Sequence, residues 1–112
     1  MQRGEIWWAS LREPLGSEPG YRRPVLIIST DDMNLSSIKT VLTVILTTNL
    51  NLANSPGNVI VSTDETGLAK DSVVNVSQLV TVDKAFMTEY IGTLEEDTML
   101  KVAAGLRLVM VL

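Results

Sequence analysis

The sequence predicts a mainly β fold of the α+β kind, a small twisted barrel or half-barrel of short strands followed by one late helix. Three observations carry this expectation. β-Branched, apolar runs recur at Val25–Ile28, Thr40–Leu46, Val59–Ser62 and Asp71–Val82. Turn residues separate them at short spacing, as in Ser55-Pro56-Gly57-Asn58. Only the segment after Thr93 carries a helical period.

Composition bounds the rest. At 112 residues the chain is expected to form one domain over 1–112, large enough to bury about two-thirds of its unfolded surface. Cysteine and histidine are both absent, which removes disulfides, thiolate nucleophiles, imidazole acid–base chemistry and the usual zinc ligands. No cofactor and no metal are therefore expected, and a cytosolic location is consistent with this composition. The N-terminus has no apolar h-region and no stretch approaches ~18 uninterrupted apolar residues, so neither export nor membrane insertion is indicated. A net charge of −4 argues against broad electrostatic capture of nucleic acid, so any such site must be a local basic patch on an acidic body.

Taken in order, Ile6-Trp7-Trp8-Ala9-Ser10-Leu11 alternates loosely and predicts a first strand at about residues 4–11. One tryptophan is expected in the core and the other on the opposite face. A polar, glycine-rich loop from Arg12 to Arg22 leads into a second strand from about Arg23 to Ser29, buried on both faces. Pro24 donates no amide and suits the first position of a strand. Asp31-Asp32-Met33-Asn34 predicts a turn or a short helical turn; its two carboxylates, without a third ligand nearby, read as helix N-terminal acids or a solvated turn. Thr40 to Leu46 predicts a central strand ending at Thr47-Thr48-Asn49, and Leu50–Asn54 a short helical turn. After the fourth strand, Asp64 to Leu68 reads as a loop.

Asp71 to Val82 reads as one long or bent strand, with Asn75, Ser77 and Gln78 facing either water or a groove. Phe86 to Gly92 is a short strand, or a helical turn and then a strand. Thr93-Leu94-Glu95-Glu96 has the form of a capping box opening a helix to about Val109. Its apolar face is Met99, Val102, Ala103, Leu106, Val109 and Met110. Gly105 weakens that helix by roughly 1 kcal/mol relative to Ala, unless close packing uses the missing side chain.

The stretch Gly16-Ser17-Glu18-Pro19-Gly20-Tyr21-Arg22-Arg23-Pro24-Val25-Leu26-Ile27-Ile28-Ser29 organises the chain. Arg23 stands where loop meets sheet, suited either to a structural salt bridge or to an anion that must be met at a fixed place. Gly-Ser-Glu-x-Gly-x-Arg-Arg-Pro-Val-Leu-Ile-Ile resembles the signature of the MazF/PemK family of toxin endoribonucleases. Arg3-Gly4-Glu5-Ile6-Trp7 resembles that family's first strand, and Thr47 closes a strand as the family's active-site threonine does. Asp71-Ser72-Val73-Val74, then Gln78, then Thr81-Val82-Asp83-Lys84 match further blocks in order, so the resemblance covers nearly the whole chain.

The resemblance implies an SH3-like barrel of antiparallel strands with helical additions, and an mRNA interferase acting on single-stranded RNA. It also implies a homodimer whose RNA groove can be filled by the disordered tail of a cognate antitoxin, with no membrane partner. RNA carries its own nucleophile: a 2′-hydroxyl attacks the adjacent phosphate in line, leaving a 2′,3′-cyclic phosphate and a 5′-hydroxyl. Such an enzyme must fix that geometry, stabilise negative charge and assist proton transfer, and none of this requires histidine, cysteine or metal.

Arg23 is the expected transition-state stabiliser, since a guanidinium fork matches phosphate oxygens bidentately, and Thr47 is its family-matched partner. For the RNA, Tyr21 is placed to stack on a base and Arg22 to meet a neighbouring phosphate. Asn49, Ser72 and Gln78 are placed to read base edges. Glu18 is a candidate general base, otherwise a solvated loop carboxylate. The chain departs from many relatives at Val80, where they carry a basic residue, and at Leu52 and Asn54, where they carry lysines; fewer phosphate contacts are expected, with either weaker binding or a different preferred sequence. Two rival readings are a gyrase-poisoning toxin of the sister family and a non-catalytic RNA- or protein-binding barrel. The C-terminal Leu108-Val109-Met110-Val111-Leu112 lacks the tryptophan-containing tail of the first, and Arg23 with Thr47 argues against the second.

Overall fold

The computed structural model describes residues 1–12, 16 and 21–112. Six strands form one antiparallel sheet in the order β4-β5-β3-β2-β1-β6. They are β1 (Glu5–Ser10), β2 (Arg22–Ile27), β3 (Thr40–Thr47), β4 (Val59–Val61), β5 (Ser72–Asp83) and β6 (Met87–Thr93). The helices are α1 (Asp31–Asn34), α2 (Thr63–Thr66) and α3 (Glu96–Met110). The sheet curls into a half-barrel with apolar side chains on both faces. Ile6, Leu26, Val44, Leu46, Val74 and Val76 pack with Val102 and Leu106 of α3. Ala9, Val25, Ile27, Val41, Ile45, Val82 and Met87 form the second core. The unbroken run Val25-Leu26-Ile27 supplies both, because successive side chains of a strand point to opposite faces. Among the described residues no helix is long and apolar enough to cross a membrane.

β5 is bent as its polar centre suggests. Val44 pairs with Leu79 while the next β3 residue, Ile45, pairs with Asn75, so residues 76–78 loop out of the ladder. Their polar groups are absorbed locally: Val76 N–H donates to Asn58 Oδ1 at 3.0 Å, and Asn75 Nδ2 donates to Gln78 Oε1 at 3.0 Å. Asn58 Nδ2 and Ser77 Oγ both donate to Asn75 Oδ1.

Several elements differ from expectation. Neither tryptophan is fully buried. Trp7 packs at the rim of the second core, meets Tyr90 edge-on at 5.9 Å and donates its indole N–H to Glu5 at 2.9 Å. The expected loop 64–68 contains α2, capped by the Ser62 hydroxyl and ended by Gly67 in the left-handed conformation. Thr93 makes no capping box. It ends β6, paired with Glu5 of β1, and its hydroxyl bonds Tyr90 at 2.7 Å, so α3 starts later with Glu95 as N-cap. On α3 the buried residues are Val102, Gly105 and Leu106, whereas Val109 and Met110 are exposed. Gly105 does serve close packing. A Cβ at Gly57 would lie 2.8 Å from the Gly105 carbonyl oxygen, so the helix seats backbone to backbone on the turn before β4.

The segment 31–34 is the short helix α1. Asp31 Oδ1 accepts the Arg3 backbone N–H at 2.7 Å and Asn34 Nδ2 at 3.1 Å. The Arg3 N–H above all, then Asn34, holds the Asp31 carboxyl below its ordinary pKa of 3.8. Residues 84–86 form a 3₁₀ turn and β6 follows it.

Candidate functional site

A groove of about 340 Å³ opens at the end of the sheet where β2 begins and β3 ends. Trp8, Arg22, Arg23 and Pro24 line one side, Leu46, Thr47 and Thr48 the floor, and Leu68, Ala69, Lys70 and Ser72 the other side. The strand order explains the layout, since β3 lies between β2 and β5. The ladder explains why the two central residues come to the same end of the sheet. Val25 of β2 stands opposite Ile45 of β3, and Arg23 and Thr47 lie two residues beyond that pair on their respective strands. Alternation also puts both on the face of Val25 and Ile45.

Arg23 is exposed, at the root of the strand. Thr47 is half-buried, and its Oγ1 accepts the backbone N–H of Asn49 at 3.2 Å. With one lone pair so used, its hydroxyl hydrogen is left to be donated outward. Arg22 is stacked over the Trp8 ring at 4.5 Å and paired with Glu89 of β6 at 3.0 Å. Ser72 reaches the lining but is only 2% exposed, its hydroxyl donating to the Lys70 carbonyl at 3.1 Å.

The groove thus gathers four of the residues singled out from sequence: Arg22, Arg23, Thr47 and Ser72. Tyr21 is not in its lining, although it is 60% exposed beside Arg22, in a left-handed backbone conformation with φ 58°. Asn49 caps the turn 50–54, accepting the Asn51 N–H at 3.2 Å. Gln78 lies in the β5 bulge, bonded to Asn75, away from the groove. Glu18 lies outside the described residues.

Sequence reasoning did not single out Trp8, Thr48 or Lys70 as groove residues. Lys70 carried a signal, a cation immediately before the Asp71-Ser72-Val73-Val74 block. Among the described residues no group of three or more carboxylates converges as a metal site would require. A larger hollow, about 630 Å³, runs from Ser10 and Arg12 to Leu79, Val80 and Phe86. Among the described residues it holds a single cation and Asp83 in its lining, whereas the smaller groove gathers three cations and no carboxylate. Anion chemistry therefore favours the smaller groove.

Residues 2–110 match the family described as PemK-like, MazF-like toxin of type II toxin-antitoxin system. The chain belongs to this toxin family. It is 44% identical over 110 residues to Endoribonuclease MazF6 of Mycobacterium tuberculosis, covering 98% of this chain and 96% of that protein. It is 33% identical over 108 residues to Endoribonuclease EndoA of Bacillus subtilis, covering 96% and 92%. The fold superimposes on crystalline MazF from Deinococcus radiodurans with a TM-score of 0.82, at 19% identity and covering 100% of this chain and 97% of that one. A mycobacterial endoribonuclease in complex with its cognate antitoxin matches with a TM-score of 0.79, at 25% identity and covering 100% and 96%. Membership of the MazF-like family agrees with the resemblance read from the Arg22-Arg23-Pro24 stretch, and the half-barrel with its C-terminal helix is the fold those toxins share.

Proposed function

We infer that this chain is the endoribonuclease toxin of a type II toxin–antitoxin module, cutting single-stranded RNA with the substrate's own 2′-hydroxyl as nucleophile. One observation carries the reading: an exposed Arg23 and a half-buried Thr47 line one groove, in a chain 44% identical to a named endoribonuclease. In this reading residues 1–112 act as a single toxin unit in the cytoplasm. Arg23 places a fixed positive fork against the phosphorane as its negative charge grows, and Thr47 donates its hydroxyl to a phosphate oxygen. Arg23 also supplies the proton taken up by the departing 5′ oxygen in a concerted step, and is reprotonated from water as the 2′-hydroxyl's proton is released to water. Stacking and base reading fall to Tyr21 and Asn49, next in sequence to groove residues, and to Ser72 once its internal bond is exchanged, with Gln78 reading a base further along the strand of RNA, beyond the groove.

The cognate antitoxin, by its disordered tail, occupies the same groove. A homodimer is supported by exposed apolar residues along α3 and after it, Leu100, Leu108, Met110, Val111 and Leu112, which leave a broad unpartnered surface.

The deciding experiment incubates purified protein with mixed-sequence RNA in EDTA and maps the ends. Cleavage with 2′,3′-cyclic phosphate and 5′-hydroxyl termini is expected, and a substrate with 2′-deoxyribose at the cut position should survive. Cutting of that deoxy substrate would refute the intramolecular mechanism. DNA damage with RNA untouched would turn the reading to the gyrase-poisoning rival.

A further inference from the structure

The second wall of the groove is built as firmly as the first. Leu68 packs against the core under α3, and the Asp71 carboxylate accepts the Thr63 N–H at 3.0 Å. Between them the Lys70 carbonyl accepts the Ser72 hydroxyl at 3.1 Å. Gly67, which turns the chain out of α2 at a positive φ of 82°, packs closely under β6: a Cβ there would stand 3.1 Å from the Ile91 carbonyl. Lys70 is therefore anchored on both sides, and its exposed side chain lines the groove. Among the described residues no ion pair engages it.

β5 lies two strand spacings from β2, so Lys70 and Arg23 project from walls roughly 10 Å apart at the backbone. Two cations flanking one cleft favour a ligand that carries more than one negative charge. Both stand in a chain of net charge −4. A strand of phosphodiesters meets that demand, one phosphate to each wall.

We propose that Lys70 holds a phosphate adjacent to the one facing Arg23, so that the RNA strand is stretched across the floor formed by Thr47 and Thr48. This rests on the RNA-cleaving reading above. Lys70 is a positioning residue: it fixes where the strand lies and takes no part in bond making. It also supplies a basic contact in a chain that lacks lysines at Leu52 and Asn54.

The test measures binding of a mixed-sequence, single-stranded 2′-O-methyl RNA, which cannot be cut, across a salt series. Wild type, Lys70→Met, Lys70→Arg and Lys39→Met are compared, Lys39 being exposed and outside the groove. Each phosphate contact on a single strand steepens the slope of log K against log salt by about 0.7, so Lys70→Met should lose that amount. Lys70→Arg and Lys39→Met should keep the wild-type slope. On cleavable RNA at low salt, Lys70→Met should raise KM about fivefold and change kcat less than about twofold. An unchanged slope in Lys70→Met, or a fall in kcat at constant KM, overturns the proposal. A wild-type chain that leaves RNA uncut while Lys70 still sets the slope sinks the nuclease reading and leaves the phosphate contact standing.

Discussion

The Arg22 guanidinium lies over the indole of Trp8, 4.5 Å from the ring centroid, and is gripped from β6 by Glu89 at 3.0 Å. Trp8, Arg22 and Glu89 come from β1, β2 and β6 respectively, three adjacent strands, and hold a cation on the lip of the groove. The expectation that Arg22 meets a phosphate thus acquires a competitor. To do so, it must leave a carboxylate.

That competition is measurable. Glu89→Gln keeps the size of the side chain and removes the charge that holds Arg22 and repels phosphate. KM for RNA should fall about twofold to fivefold in Glu89→Gln, the range of an exposed ion pair, with kcat unchanged. A raised KM would mean that Glu89 orients Arg22 for the substrate rather than withholding it.

Arg23 and Thr47 should behave differently from this lip. Arg23→Lys preserves charge but not the planar fork, and Thr47→Val preserves shape but not the donor. Each should lower kcat by roughly 10²–10³, the scale for losing one preorganised donor to a developing anion. Single-turnover rates at saturating RNA separate this from weakened binding, and Thr47→Ser should restore most of the loss.

The contact between Gly57 and Gly105 reverses an ordinary rule. In an exposed helix Gly→Ala stabilises by about 1 kcal/mol. Here an added methyl on Gly105 would drive into the Gly57 backbone. Gly105→Ala should therefore destabilise the fold by about 1–3 kcal/mol, the usual cost of overpacking, seen as a lower urea midpoint at unchanged slope.

Asp31 sets a small acid-side dependence. Its carboxyl is held below its ordinary 3.8, chiefly by the Arg3 backbone N–H, so the charged form is favoured in the folded chain. Stability from this group is fully present above 3.8 and is lost as pH falls through the lower folded value. The gap in urea stability between wild type and Asp31→Asn should stay level down to about pH 4 and close below it.

Much of this architecture was legible in the chain because its strands are written in β-branched runs. Val25–Ile27 and Thr40–Leu46 could hardly be anything but buried strands, and the spacing of Met99, Val102 and Leu106 is that of a helix face. Shorter elements escaped. α2 spans a single turn, too few residues for a period to emerge, and its signal lay in Ser62 and Gly67 as caps. Thr93 matched a capping pattern that says nothing of strand pairing, and the β1–β6 ladder claimed its backbone first.

The groove was half legible for a related reason. Arg22, Arg23 and Thr47 stand at strand ends marked by loops, but Trp8 and Lys70 join them only because strands distant in sequence are neighbours in the sheet. Gln78, a polar residue in mid-strand, also serves the bulge, where its side chain accepts from Asn75.

That bulge has a bearing on how the chain can change over time. Because residues 76–78 hang outside the β3 ladder, the pairs on either side keep separate registers: Thr47 opposite Val73 in one half, Thr40 opposite Asp83 in the other. A residue gained or lost in the bulge would be taken up there, without flipping the side chains of either half between faces. The cleft end and the far end of the molecule are decoupled in length, and each is free to drift while the other is held by selection.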